Sequence, residues 1–142
     1  MNVLIDTSVW SLVLRRKSPD LNSRESAIAS EISELVLEGR VRLIGVVRQE
    51  TLSGIKSADQ YERLRRELRF HQDEPLSIED FEAGAKTSNE FRSRGVQSSL
   101  VDSLICATAV RRHWSIFTTD PDFNRYAQIL SLRLHKPRNL AN

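Results

Sequence analysis

Val3-Leu4-Ile5-Asp6-Thr7-Ser8-Val9-Trp10 opens on three aliphatic residues and stops on a carboxylate followed by two hydroxyls. A short, purely apolar run of this kind reads as a strand buried on both faces. Asp6 is then the first residue past the strand's C-terminal end. In open α/β sheets that edge borders the crevice where ligands bind. Three later acids, Glu50, Asp102 and Asp120, are placed to arrive at the same edge, and the chain is organised around that convergence.

Working outward, apolar runs alternate with amphipathic segments. Residues 7–16 read as a short helix capped by Thr7 or Ser8, broken at Ser18-Pro19-Asp20. Residues 23–38 follow as a helix with Ile28, Ile32, Leu35 and Val36 on one face, ended by Gly39. Residues 41–47 read as a second strand, passing at Arg48-Gln49-Glu50 into the first turn of a helix. Residues 58–70 form a charged helix bearing Arg63, Arg65, Arg66 and Arg69, and residues 74–76 are a weak third strand. Ser77-Ile78-Glu79-Asp80 fits a capping box opening a helix to about residue 94, stopped by Gly95. Ser98-Ser99 caps a helix over 100–113. Residues 114–119 are the fourth strand, Pro121 starts a short helix, and residues 132–134 are a last small strand. The alternation argues for a mainly parallel sheet in a three-layer α/β/α sandwich. Neither a repeat nor a linker divides the 142 residues, so one domain over 1–142 is expected.

The lone cysteine, Cys106, has no partner for an internal disulfide, which fits a reducing cytoplasm, and its apolar helical setting makes it core. Asp6 interrupts the first apolar run, and no other stretch approaches membrane-spanning length, so neither a signal peptide nor a membrane span is expected. Trp10 and Trp114 read as core by default. Net charge is +2, but setting four acids against a cation leaves 21 basic against 15 acidic side chains, or +6. A mildly basic surface around an acidic hole suits a polyanion cut by metal chemistry; solvated surface charge explains the composition equally well.

Each acid alone has an innocent explanation. Asp6 caps a helix, Glu50 is an exposed helical carboxylate, Asp102 answers Ser99 in a capping box, and Asp120 before Pro121 is an N-cap. Together they are more informative, because carboxylates gathered at one edge repel unless one is protonated or a cation sits among them. Mg²⁺ takes oxygen ligands, keeps several waters, and lowers the pKa of those waters for phosphodiester hydrolysis. The Thr7, Ser8 and Thr119 hydroxyls are placed to orient the carboxylates.

Asp6-Thr7-Ser8-Val9-Trp10, Glu50, the run Val101-Asp102-Ser103-Leu104-Ile105-Cys106-Ala107-Thr108-Ala109, and Thr118-Thr119-Asp120-Pro121-Asp122-Phe123 occur in series and resemble PIN-domain proteins. Within that superfamily the chain resembles the VapC-type toxins of toxin–antitoxin pairs. The resemblance implies a sheet of order 3-2-1-4-5 and Mg²⁺- or Mn²⁺-dependent endoribonuclease activity on tRNA or ribosomal RNA. It also implies a homodimer and a small antitoxin that lays a C-terminal segment across the site. By position Asp6 and Asp102 match the principal metal ligands, with Glu50 and Asp120 completing the quartet; Asp122 matches a more variable acid. Arg63, Arg65, Arg66 and Arg69 are either part of an RNA track or a solvated face. Two other classes remain: a non-catalytic RNA-binding module, and a phosphatase with Asp6 as nucleophile, against which Ser8 stands where a second acid is wanted.

Overall fold

The computed structural model describes residues 1–15 and 20–138. Its centre is β1 (Val3–Ile5), in which all three side chains are wholly buried. Successive strand side chains point to opposite faces, so burial of all three requires cover on both sides of the sheet. Parallel neighbours flank β1: β2 (Val41–Arg42) with Val3 beside Val41, and β3 (Ser115–Phe117) with Ile5 beside Phe117. The sheet order is β2-β1-β3. Single parallel bridges extend it at each edge, Leu43 with Asp73 and Ile116 with Leu134. Counting those bridges as the third and fifth segments, the spatial order is the expected 3-2-1-4-5.

Seven helices among the described residues complete the chain: α1 (Thr7–Arg15), α2 (Ser23–Leu37), α3 (Gly45–Leu52), α4 (Ala58–Leu68), α5 (Ile78–Ser93), α6 (Leu100–Arg112) and α7 (Asp122–Ile129). Gly39 and Gly95 stop α2 and α5 in the left-handed conformation that side chains resist. Ser77 and Asp80 form the expected capping box. Asp80 does more, because its buried carboxylate also receives Arg111 and Arg112 at 3.1 and 2.7 Å, fastening α5 to the end of α6. Trp10 and Trp114 are both core, and Cys106 is buried and free. No described helix is long and apolar enough to cross a membrane.

The second strand is shorter than its apolar run. Pairing with β1 ends at Arg42, and Ile44 caps α3, so Val46 and Val47 are helical. An apolar run is buried equally well as strand or helix, and the residues 41–47 carry no periodicity to separate the two. The fifth strand shrinks to a single bridge at Leu134, within the expected 132–134, and the third to a single bridge at Asp73, just before the expected 74–76. The end of the first helix at residue 16 and the break at residues 18–19 lie outside the described residues.

The tail after β3 is clasped to α2. Glu31, 2% exposed, takes Arg138 Nε at 2.9 Å on Oε1 and His135 Nε2 at 2.7 Å on Oε2. Burial disfavours the Glu31 carboxylate, but the Arg138 and His135 hydrogen bonds outweigh it and hold the group below its ordinary value of 4.5. A depressed acid contributes stability that is fully present above its unfolded value and lost as pH falls through the folded one. Glu31→Gln should therefore lower stability by about 2 kcal/mol at pH 7, the worth of charged hydrogen bonds. In denaturant titrations the deficit should shrink as pH is lowered below 4.5; equal stability at pH 7 would remove the clasp.

Candidate active site

Asp6 leaves the end of β1 almost buried, at 4% exposure. A carboxylate there needs hydrogen bonds or a cation. It receives two hydroxyls on Oδ2, from Ser8 at 2.7 Å and Thr118 at 2.8 Å. The same hydroxyls knit the neighbouring loop, since Ser8 Oγ accepts from the Thr119 N–H at 3.0 Å and Thr118 Oγ1 from the Asp120 N–H at 3.0 Å. The ends of β1 and β3 are thus joined through side chains, which brings Asp120 beside Asp6. Ser8 plays the expected supporting part. The second hydroxyl on Asp6 belongs to Thr118 and not to Thr119, which joins through its backbone.

Glu50 comes from the middle of α3, not from a strand end, and is drawn in by Thr7, whose hydroxyl donates to Oε1 at 2.6 Å. Asp102 sits in the first turn of α6, its N–H capped by Ser99 Oγ at 3.0 Å. The reciprocal half of that capping box does not form, because the Asp102 side chain turns instead to the Tyr126 hydroxyl at 2.9 Å. Asp120 Oδ1 accepts from the Asp122 N–H at 2.9 Å, so the helix-start explanation of this acid holds in part. Asp122 itself pairs with Arg125.

All four acids have the same pattern: one oxygen is engaged by the fold, and the second has no hydrogen-bond partner among the described residues. They also feel one another. Burial pushes the Asp102 carboxyl up, the Tyr126 hydrogen bond pulls it back, and the charges of Asp6, Asp120 and Glu50 add to the rise, to about 6. Tyr126 is raised in turn, by burial and by the Asp102 carboxylate.

The donor set is all oxygen and acidic, which fits a hard divalent cation. It is not a closed cage: among the described residues no three acids, histidines or cysteines stand grouped as ligands for one ion. That openness is compatible with Mg²⁺, which usually takes one or two carboxylates and fills the remaining positions with water.

Thr118 and Tyr126 were not anticipated. Thr118 had a signal, being the first hydroxyl after an apolar run. Tyr126 had none, because it meets Asp102 across 24 positions of chain.

On α4, Leu64 and Leu68 are buried and the arginines lie outward. Arg63 pairs with Glu67 at 3.8 Å and Arg65 with Glu62 at 2.9 Å, while Arg66 and Arg69 form no ion pair among the described residues. A groove of about 860 Å³ lies away from the acids between α1, α2 and the end of α4. Trp10, Leu14, Ile32, Val36 and Phe70 line it, and the buried Trp10 Nε1 has no partner among the described residues.

A PIN domain family model matches residues 3–129. The chain belongs to the PIN domain family. Solved structures agree on the fold of this PIN domain. A chain of FitAcB from Neisseria gonorrhoeae is 20% identical with a TM-score of 0.73, over 97% of this chain and 99% of that one. A chain of VapBC2 from Rickettsia felis, bound to a promoter DNA fragment, is 16% identical at a TM-score of 0.74, over 95% and 98%. VapC20 from Mycobacterium tuberculosis, described as a sarcin-ricin loop cleaving toxin, is 15% identical at 0.64, over 93% and 99%. No curated protein matches by sequence.

A carboxyl raised in the fold is destabilising once ionised, and that penalty disappears as pH falls from above 6 towards its ordinary 3.8. In chelator, Asp102→Asn should match or exceed the wild type in thermal midpoint at pH 7. The difference should narrow as pH falls below 6 and close only as pH reaches 3.8 and below. A variant markedly less stable at pH 7 would mean that the carboxylate is structural.

Proposed function

We propose that this PIN domain, as one nuclease domain over residues 1–142, is the toxin of a toxin–antitoxin pair. It acts as a divalent-metal-dependent endoribonuclease that hydrolyses phosphodiester bonds in RNA, with tRNA or ribosomal RNA as the substrate class, in the cytoplasm. The observation that carries the reading is four acids around the carboxyl edge of the sheet, each with an uncommitted oxygen, with the Asp102 carboxyl pushed up to about 6 by burial first and then by the charges of the other three. A pocket so negative favours a cation over any neutral ligand. The family supports nuclease chemistry, and the toxin–antitoxin complexes among the similar folds support the pairing.

Asp6 and Asp102 would be the principal holders of Mg²⁺ or Mn²⁺, with Glu50 and Asp120 completing the set. When bound, the ion supplies positive charge to the phosphate oxygens and acidifies water at the site. The chain supplies position. Ser8 and Thr118 fix the Asp6 carboxylate, Thr7 fixes Glu50, and Tyr126 fixes Asp102, so that side-chain freedom is already lost before RNA arrives. The α4 arginines Arg63, Arg65, Arg66 and Arg69 are outlying cations for the RNA, Arg63 and Arg65 with part of their charge spent on Glu67 and Glu62.

Two protein partners complete the reading. The antitoxin is the first: its C-terminal segment would lie across the acids, and the apolar groove beside Trp10 is the surface we give the rest of it. A second copy of the chain is assigned to the face where Ile78, Phe81 and Leu100 stand exposed at 75, 53 and 78% around an apolar hollow.

Incubated with total RNA and Mg²⁺ or Mn²⁺, the protein should release discrete fragments. Chelator should abolish cleavage, and Asp6→Asn should lower it by at least about a hundredfold while the protein stays folded, the scale for loss of a group that positions charge in a transition state. Cleavage undiminished in excess chelator would refute the metal mechanism, and RNA bound but never cut would favour the binding-module alternative. Separately, Phe81→Arg with Leu100→Glu should turn a dimer into a monomer by sedimentation; a wild type that sediments as a monomer would dismiss that face.

A further inference from the structure

Two hollows flank the acids and share a wall. One, of about 490 Å³, runs from Asp120 past Asn124 to Lys136 in the clasped tail. The other, of about 560 Å³, runs from Ser8 along α1 to Arg15 and across to Asn22 at the start of α2. Arg24, Ile28 and Thr119 line both, so the hollows form one trough that passes the Asp6–Asp120 edge with Arg24 at its middle.

The trough differs in chemistry from the rest of the surface. Most arginines elsewhere are spent on carboxylates, among them Arg42, Arg48, Arg111, Arg112, Arg125 and Arg138. Arg24 and Lys136 form no ion pair among the described residues. Arg15 gives Nη2 to the neutral carbonyls of Thr51 and Ser53, so its charge is held in place but not cancelled. The acid on the α2 side, Glu25, is engaged in the capping box with Asn22. Lys136 is also held, because it lies between His135 and Arg138, and both of these grip Glu31. Among the described residues, three cations and two acids, Glu25 and the proposed catalytic Asp120, therefore line the concave path, and amides stand between them.

We propose that this trough is the bed of the substrate strand, with Arg15, Arg24 and Lys136 holding backbone phosphates on either side of the bond at Asp6 and Asp120. The occupant is a single-stranded stretch of RNA. Two hollows divided by Arg24 and Thr119 accept unpaired nucleotides, whereas the regular surface of a duplex does not enter them, and the Asn22 and Asn124 amides can pair with exposed base edges. Glu31 is a positioning residue that acts through the tail bearing Lys136.

This inference rests on the nuclease reading, and the test separates the two. A labelled single-stranded oligoribonucleotide is titrated with the full chain in chelator, where it stays intact, and anisotropy is followed at several salt concentrations. Arg24→Gln with Lys136→Gln should weaken binding about tenfold at low salt and flatten the salt dependence by about 1.4, at roughly 0.7 per lost phosphate contact on a single strand. Arg92→Gln with Arg94→Gln at the end of α5 removes the same charge from exposed positions given no part in RNA binding and should cost less. Unchanged affinity in the trough variant, an equal loss in the α5 variant, or no measurable binding by the wild type would each overturn the assignment. A wild type that cuts RNA while its trough variant binds normally sinks the trough alone. Binding through the trough without cleavage under Mg²⁺ sinks the nuclease reading alone.

Discussion

The hydrogen bonds from Ser8 and Thr118 to one oxygen of Asp6 are the constraint on which the other features depend. A carboxylate at 4% exposure with no ion pair among the described residues would otherwise be among the costlier groups in the protein. Two charged hydrogen bonds, at about 1.5–3 kcal/mol each, offset much of that cost. They do so with hydroxyls rather than an arginine, which keeps the pocket negative. Because those hydroxyls also accept from the backbone of Thr119 and Asp120, the support of Asp6 and the placement of Asp120 are a single arrangement.

That arrangement opposes stability with affinity. Burying an acid among others raises the free energy of the folded chain without metal, and the rise appears at Asp102, where burial outweighs the single Tyr126 hydrogen bond and the other acids add to it. The buried aliphatic core supports the strain: Val3, Leu4, Ile5, Ile44 and Val47 are fully buried, at roughly 2 kcal/mol apiece. Elsewhere the chain does the opposite. Asp80 and Glu31, both as buried as Asp6, are each neutralised by arginine. Buried Asp6, at the sheet's carboxyl edge, has no cationic partner among the described residues, whereas the buried acids that tie helices and tail together are given one.

Much of this was legible in the residues. An aliphatic run ending on Asp6, a Ser-x-x-Asp before α5, and Ser99 before α6 are local signals that depend on a few bonds, and they act as read. The four acids were legible because each follows an apolar run or a helix cap. What failed was of two kinds. Residues 43–47 are apolar without a period, so burial gave no way to tell that Val46 and Val47 belong to α3, and Glu50 was placed at a strand end it does not occupy. Contacts made across long separations had no signal at all: Tyr126 on Asp102, and His135 and Arg138 on Glu31.

The shortness of the outer strands has a bearing on how this protein meets others. At each edge of the sheet the last paired residue is a single bridge, at Asp73 on one side and Leu134 on the other. Partners that bind by adding a strand need a run of open backbone donors and acceptors, and long open edges also promote aggregation. Among the described residues there is no such run to extend. Recognition by the described residues therefore goes through side chains on helices and loops, where sequence divergence alters specificity freely, and copies of this PIN domain have no template there for stacking edge to edge.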